Sequence, residues 1–143
     1  MRVGIIRIDP SLPLPGYATE GAAGFDFCSR ESVQVGPGAL ATVPANVIVA
    51  VPPGHVLIVA LRSSTPRTKG LIIPNGVGVI DPDYCGPEDE IGILVYNTGR
   101  ESVTVERGER IAQGLIVPAE RVEWYERPSQ GRSRGGFGST GAR

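Results

Sequence analysis

Glycine and proline punctuate this chain from end to end, and their spacing constrains the fold more than any other feature. There are 20 glycines and 13 prolines, and neither residue is well tolerated inside a helix. No window of about ten residues keeps its apolar side chains in a 3.6-residue period. Between the turn formers lie short alternating or β-branched runs, which predict strands. These are Val3–Ile8, Glu31–Val35, Ala39–Pro44, Val47–Val51, His55–Leu61, Gly70–Ile73, Val77–Ile80, Glu90–Asn97, Ser102–Val105, Ile111–Pro118 and Val122–Trp124. Gly36–Gly38, Pro52-Pro53-Gly54 and Pro74-Asn75-Gly76 are the strongest turns, and Asn75-Gly76 predicts a hairpin between the runs on either side. One short helical turn is expected near Ser64–Thr68. Strands at about ten-residue spacing predict an all-β sandwich or barrel.

A length of 143 residues suits a single domain, and a 41% hydrophobic content allows a single core. The net charge of −1 gives no sign of wholesale nucleic-acid binding. No apolar stretch approaches the roughly 20 residues of a membrane span, and Met1–Asp9 does not read as a signal peptide. The two cysteines, Cys28 and Cys85, form no C-x-x-C pair; they could join only if the fold brings them together. The expectation is a cytoplasmic protein with reduced thiols.

The last 17 residues differ in kind. Arg127–Arg143 carries four arginines, five glycines, one aromatic and no acid. It cannot bury a core of its own, so it reads either as a disordered tail or as an arm that orders over an anion. Gly135–Gly141 offers closely spaced backbone N–H groups that can approach a phosphate. Arg132 and Arg134 can add charge-assisted bonds. Phe137, alone among glycines, suits stacking on a planar base.

Other segments could carry chemistry, each with a plainer alternative. Arg62-Ser63-Ser64 ends the His55–Leu61 run, and a cation beside two hydroxyls suits a phosphate; it also reads as a serine-capped surface turn. Alternation places Val77, Val79 and Asp81 on one face, so Asp81 ends a strand as a half-buried carboxylate and candidate general base. It equally reads as a turn residue before Pro82. Tyr84 could pack its ring on a flat sugar face, or simply be half-buried. Asp26 lies inside an alternating apolar segment and needs a cationic or metal-linked partner there. Arg110 and Gln113 stand at the entry to a strand, where charges are commonly just solvated.

Taken in order, these segments resemble the five motifs of the trimeric dUTPase family. They are AGFDFCS (Ala23–Ser29), RSS (Arg62–Ser64), NGVGVIDPDYCG (Asn75–Gly86), RGERIAQGLIVP (Arg107–Pro118) and RSRGGFGSTG (Arg132–Gly141). The resemblance spans about residues 14 to 141. It implies a jelly-roll-like β-barrel of the β-clip kind over residues 1–126, with one short helix, and a flexible arm over 127–143. It implies a homotrimer with active sites shared between subunits, Mg²⁺ as cofactor and dUTP as substrate, without nucleic-acid or membrane partners.

The implied reaction is hydrolysis of dUTP to dUMP and pyrophosphate by water attack on the α-phosphate. It would limit uracil incorporation into DNA and supply dUMP for dTTP synthesis. Asp81 would activate the water. Asn75 and the backbone of Gly78, Val79, Ile80 and Asp81 would read the uracil, and Tyr84 would leave no space for a 2′-hydroxyl. Arg62, Ser63, Ser64 and Gln113 would hold the phosphates, and Asp26 would reach the metal through water. From the arm, Phe137 would stack on uracil, while Arg132, Gly138, Ser139 and Thr140 would close over the nucleotide.

Two departures stand out. Leu61 precedes Arg62 and Ser64 takes a glycine position, where the common form is Pro-Arg-Ser-Gly. Pro87-Glu88-Asp89-Glu90 lengthens the third motif and reads as a solvated loop. Arg62-Ser63-Ser64-x-x-Arg67 also resembles dCTP deaminases, which share this fold. Those enzymes need a glutamate three residues before the asparagine of the next strand, and counting back from Asn97 gives Leu94. A non-enzymatic nucleotide-sensing trimer is the other alternative, and Asp81, Asp26 and the arm argue against it.

Overall fold

The computed structural model describes residues 1–129, 131 and 135. It is built from β1 (Gly4–Arg7), β2 (Gly16–Tyr17), β3 (Phe25–Phe27), β4 (Val33–Val35), β5 (Leu40–Pro44), β6 (Val47–Ala50) and β7 (His55–Leu61). There follow α1 (Thr65–Lys69), β8 (Leu71–Ile72), β9 (Gly78–Ile80), β10 (Gly92–Asn97), β11 (Val103–Val105) and β12 (Ala112–Pro118). All strand pairings are antiparallel. Among the described residues four small sheets form, ordered β1-β6, β5-β10-β8, β11-β4 and β2-β3-β12-β7-β9. Each sends side chains into one core, among them Phe27, Val35, Val43, Val49, Leu57 and Val95. This is the all-β architecture expected, with its one short helix.

The helix is short for local reasons. Pro66 sits at its start, where a missing N–H costs nothing, and Gly70 ends it with φ 63°, donating its N–H to the Pro66 carbonyl. Thr65 is buried and bonds its hydroxyl to the Ile111 carbonyl at 2.7 Å, fastening α1 to the entry of β12.

Three expectations need correction. Val122–Trp124 does not close the core: the segment forms no strand, and Val122 and Trp124 are 62% and 89% exposed. Among the described residues, alternation there has no neighbouring strand to satisfy it. Asn75-Gly76 does not make a hairpin either. The Gly76 N–H bonds back to the Ile73 carbonyl, so the turn centres on Pro74-Asn75, with Gly76 following at φ 85°. Pro74 pre-sets the first central position, which moves the turn back by one residue. The chain then changes sheets, since β8 pairs with β10 and β9 pairs with β7.

The acidic segment is the third correction, for it is not merely solvated. Asp89 accepts the Gly86 N–H at 2.6 Å. The Glu90 carboxylate accepts from Arg30 at 2.9 and 3.0 Å and from the Asn46 N–H at 2.8 Å. Cys28 is buried, Cys85 is exposed, and both are free thiols; burial pushes the Cys28 thiol up from its ordinary pKa.

Candidate active site

Two groups of the expected site residues form, at opposite ends of β7. The first gathers around Asp26. Cross-strand pairing sets Asp26 of β3 beside Gln113 of β12, and Gln113 beside Ala60 of β7. Arg62 follows directly on β7, and its Nε lies 3.2 Å from Asp26 Oδ1. Arg110, at the entry to β12, places Nη1 3.3 Å from Asp26 Oδ2. Asp26 is 7% exposed, so a carboxylate there requires this cationic company. Sequence reasoning anticipated such a partner but read Arg110 as a solvated turn charge; a buried acid nearby becomes visible only once the strands pair.

Backbone bonds hold this end in place. The Arg62 N–H donates to the Ile111 carbonyl at 2.9 Å, and Arg62 Nη1 reaches the Arg110 carbonyl at 3.3 Å. Lys69 ties α1 to the neighbouring turn, with Nζ 3.0 Å from Glu109 and bonded to the Thr104 carbonyl at 2.7 Å. Ser63 and Ser64 are exposed between Arg62 and α1. Gln113 Nε2 donates to the Leu61 carbonyl at 3.3 Å. It fits because residue 24 is glycine: a Cβ there would fall 2.6 Å from Gln113 Oε1. Two guanidinium groups against one carboxylate leave a net positive charge beside two free-facing hydroxyls, a setting suited to polyanionic phosphate.

Among the described residues Asp26 Oδ2 has no hydrogen bond, because the Arg110 contact lacks hydrogen-bond geometry. A small cavity of about 170 Å³ lies against Asp26, lined also by Leu14, Gly16, Tyr17, Cys28 and Arg110. An orphaned buried carboxylate oxygen beside a cavity fits a water of a hydrated divalent ion. No cluster of three or more His, Cys, Asp or Glu that could ligate a metal directly occurs among the described residues.

The second group lies on β9, an outer strand of the five-stranded sheet. Its backbone groups on the side away from β7 meet no strand among the described residues. Val77 and Val79 share the outward face with Asp81, as alternation predicts. That face is open, with Val79 58% exposed, so the Asp81 carboxylate is exposed rather than half-buried. Gly78 and Ile80 point inward; a Cβ at Gly78 would meet the Val59 Cβ at 3.2 Å. A cleft of about 710 Å³ runs past Val79, Asp81 and Asp83 to His55, Val56 and Arg121. Asn75 is exposed in the preceding turn. Tyr84 is 40% exposed, with its hydroxyl 3.2 Å from the Glu90 carbonyl and its N–H on the Asp81 carbonyl.

The register gives the separation. Ile80 pairs with Leu57 and Gly78 with Val59, so Asp81 comes beside Val56 while Arg62 lies six residues farther along the same strand. At about 3.3 Å per residue the two ends are roughly 20 Å apart. Of the expected arm residues, Arg132, Phe137, Gly138, Ser139 and Thr140 lie outside the described residues.

Comparisons with known proteins agree. A family profile described as dUTPase matches residues 11–141. A deoxyuridine 5'-triphosphate nucleotidohydrolase from Anaeromyxobacter sp. is 44% identical over 135 residues, covering 92% of this chain and 90% of the relative. A crystal structure of dUTPase from Streptococcus mutans superposes with a TM-score of 0.77 at 34% identity, over 85% of this chain and 99% of that one. A mutant dUTPase from phage phi11 of S. aureus, whose structure concerns the coordination of a structural Mg(II) ion, has the same fold. It superposes with a TM-score of 0.80 at 22% identity, over 90% of this chain and 98% of its own.

Proposed function

The chain belongs to the dUTPase family, and from that membership we propose that it hydrolyses dUTP to dUMP and pyrophosphate at sites assembled from more than one copy of itself. One observation carries the sharing: roughly 20 Å of β7 separates Asp81 from the Arg62 cluster. A water activated at one end cannot attack a phosphate held at the other. A second copy, placing its Asp81 strand against the first copy's Arg62 cluster, removes the conflict, and a closed trimer repeats that contact three times.

In this reading the exposed edge of β9 receives the base. Asn75 and the backbone of Gly78, Val79 and Ile80 read the uracil edge by hydrogen-bond polarity, and Tyr84 packs against the deoxyribose. Arg62, Ser63, Ser64 and Gln113 of a neighbouring copy hold the phosphate chain. Asp81 orients a water and takes its proton as the oxygen attacks the α-phosphorus; the bond to the bridging oxygen breaks and pyrophosphate leaves. Asp26 holds water of a bound Mg²⁺, in keeping with its orphaned oxygen. When bound, that ion neutralises charge on the phosphates.

Residues 1–126 form the barrel domain and 127–143 the arm, from which Arg132, Phe137, Gly138, Ser139 and Thr140 close over the nucleotide and exclude water. Cellular roles follow in the same reading: limiting uracil in DNA and supplying dUMP for dTTP synthesis. The free thiols suit a reducing cytoplasm, and no helix among the described residues is long and apolar enough to cross a membrane.

The direct test incubates purified protein and Mg²⁺ with dUTP and, separately, each of the four standard deoxynucleoside triphosphates. Pyrophosphate and dUMP are expected from dUTP at rates far above the others. Ammonia from dCTP, or no turnover of dUTP, would refute the assignment.

A further inference from the structure

The segment after β9 is braced more heavily than a loop needs to be. Tyr84 donates its backbone N–H to the Asp81 carbonyl and its hydroxyl to the Glu90 carbonyl. Gly86 and Asp89 close a smaller ring inside it, through the Gly86 N–H on Asp89 Oδ2 and the Asp89 N–H on the Gly86 carbonyl. The far anchor is Glu90. Its carboxylate takes Arg30 Nε at 2.9 Å, Arg30 Nη2 at 3.0 Å and the Asn46 N–H at 2.8 Å. The Arg30 backbone is fixed in turn by its N–H on the Pro44 carbonyl, and Ile91 by its N–H on the Val47 carbonyl. A line of bonds therefore runs from the β5–β6 turn through Arg30 and Glu90 to the Tyr84 hydroxyl.

We propose that the Arg30–Glu90 pair positions Tyr84 for sugar selection: it fixes the carbonyl on which the phenol rests, and with it the ring that excludes a 2′-hydroxyl. This rests on the reading that Tyr84 faces the pentose of dUTP. A ring held only through its Cα–Cβ bond can swing by an ångström or more, which is about the space a hydroxyl needs. A ring also hydrogen-bonded at its far end is more restricted. Arg30 and Glu90 touch no substrate in this scheme; they act through Tyr84 and are positioning residues.

The test compares kcat/KM for dUTP and for UTP, with Mg²⁺, in the unaltered protein and in Arg30→Met, Tyr84→Phe and Glu31→Gln. Melting temperature and oligomeric state are measured for each. Arg30→Met and Tyr84→Phe should each raise turnover of UTP relative to dUTP by about five- to tenfold, the scale of one net hydrogen bond. The rise is the decisive sign, because general loosening of the fold lowers both activities together. Glu31→Gln removes the other acid bound to Arg30 and should leave the ratio unchanged. A folded Arg30→Met with unaltered selectivity overturns the proposal. So does unaltered selectivity in Tyr84→Phe, a one-atom change that carries the test even if Arg30→Met does not fold. If the unaltered protein fails to hydrolyse dUTP, the assignment beneath the proposal falls instead, and the proposal with it.

Discussion

Asp26 lies within β3 and Asp81 directly follows β9, and their surroundings differ. Asp26 is buried between Arg62 and Arg110, whose guanidinium groups offset its charge. Asp81 follows β9 exposed at the rim of a cleft, open to solvent. In the proposed mechanism, Asp81→Asn keeps the shape and removes the base. The variant should bind a non-hydrolysable dUTP analogue with nearly native affinity and lose turnover by about two to four orders of magnitude. Binding by titration calorimetry beside steady-state rates separates the two, and preserved turnover would remove Asp81 from its role. Asp9 has a different task. The Ser11 hydroxyl, then Arg107, hold it far below the usual carboxylate range, so the tie from the first turn to Arg107 persists in mild acid.

At the level of elements, β7 organises the molecule. It pairs along its whole length with β12 and over three residues with β9, and its two ends carry the two groups of site residues. The run His55–Leu61 was legible in the sequence because both of its boundaries are marked, by Pro52-Pro53-Gly54 and by a polar Arg-Ser-Ser. The strands β2 and β3 were less so, being two and three residues long and defined by neighbours rather than by their own pattern. Val122–Trp124 fails for the converse reason: it alternates but meets no strand to pair with among the described residues.

Close approach also escapes sequence reading. Gly114 in β12 lies under Phe25 and Phe27, whose rings meet edge to face with centroids 5.4 Å apart. A Cβ at Gly114 would fall 2.7 Å from one ring and 2.8 Å from the other. Phe27 is fully buried and has no room to yield. Gly114→Ala should therefore destabilise the fold by about 1–3 kcal/mol, read as a lower denaturation midpoint in urea. An unchanged midpoint would mean that β3 can move away from β12.

For the whole molecule, the five ordered motifs made the family legible, whereas their division between the ends of one strand could not be read from order alone. The resemblance already implied sites shared between subunits; the register adds that Asp81 and Arg62 lie at opposite ends of β7 in one chain, which supports the proposed sharing. Large apolar side chains left exposed in the single chain, including Ile6, Leu40, Val79 and Trp124, are consistent with further burial between copies. Removal of residues 132–143 should leave the assembly intact by size-exclusion chromatography and lower turnover by orders of magnitude; full activity in the truncated protein would dismiss the arm.

Complementation tests the shared site most directly. Asp81→Asn and Arg62→Ala are each purified inactive, mixed in equal amounts, dissociated and reassembled, and assayed on dUTP. Sites that pair an intact Asp81 from one chain with an intact Arg62 from another should form at random, restoring about a quarter of the native activity. Activity no greater than the sum of the two separate variants, in mixtures proven to contain hybrid assemblies, would place both residues in one chain's site and contradict the account.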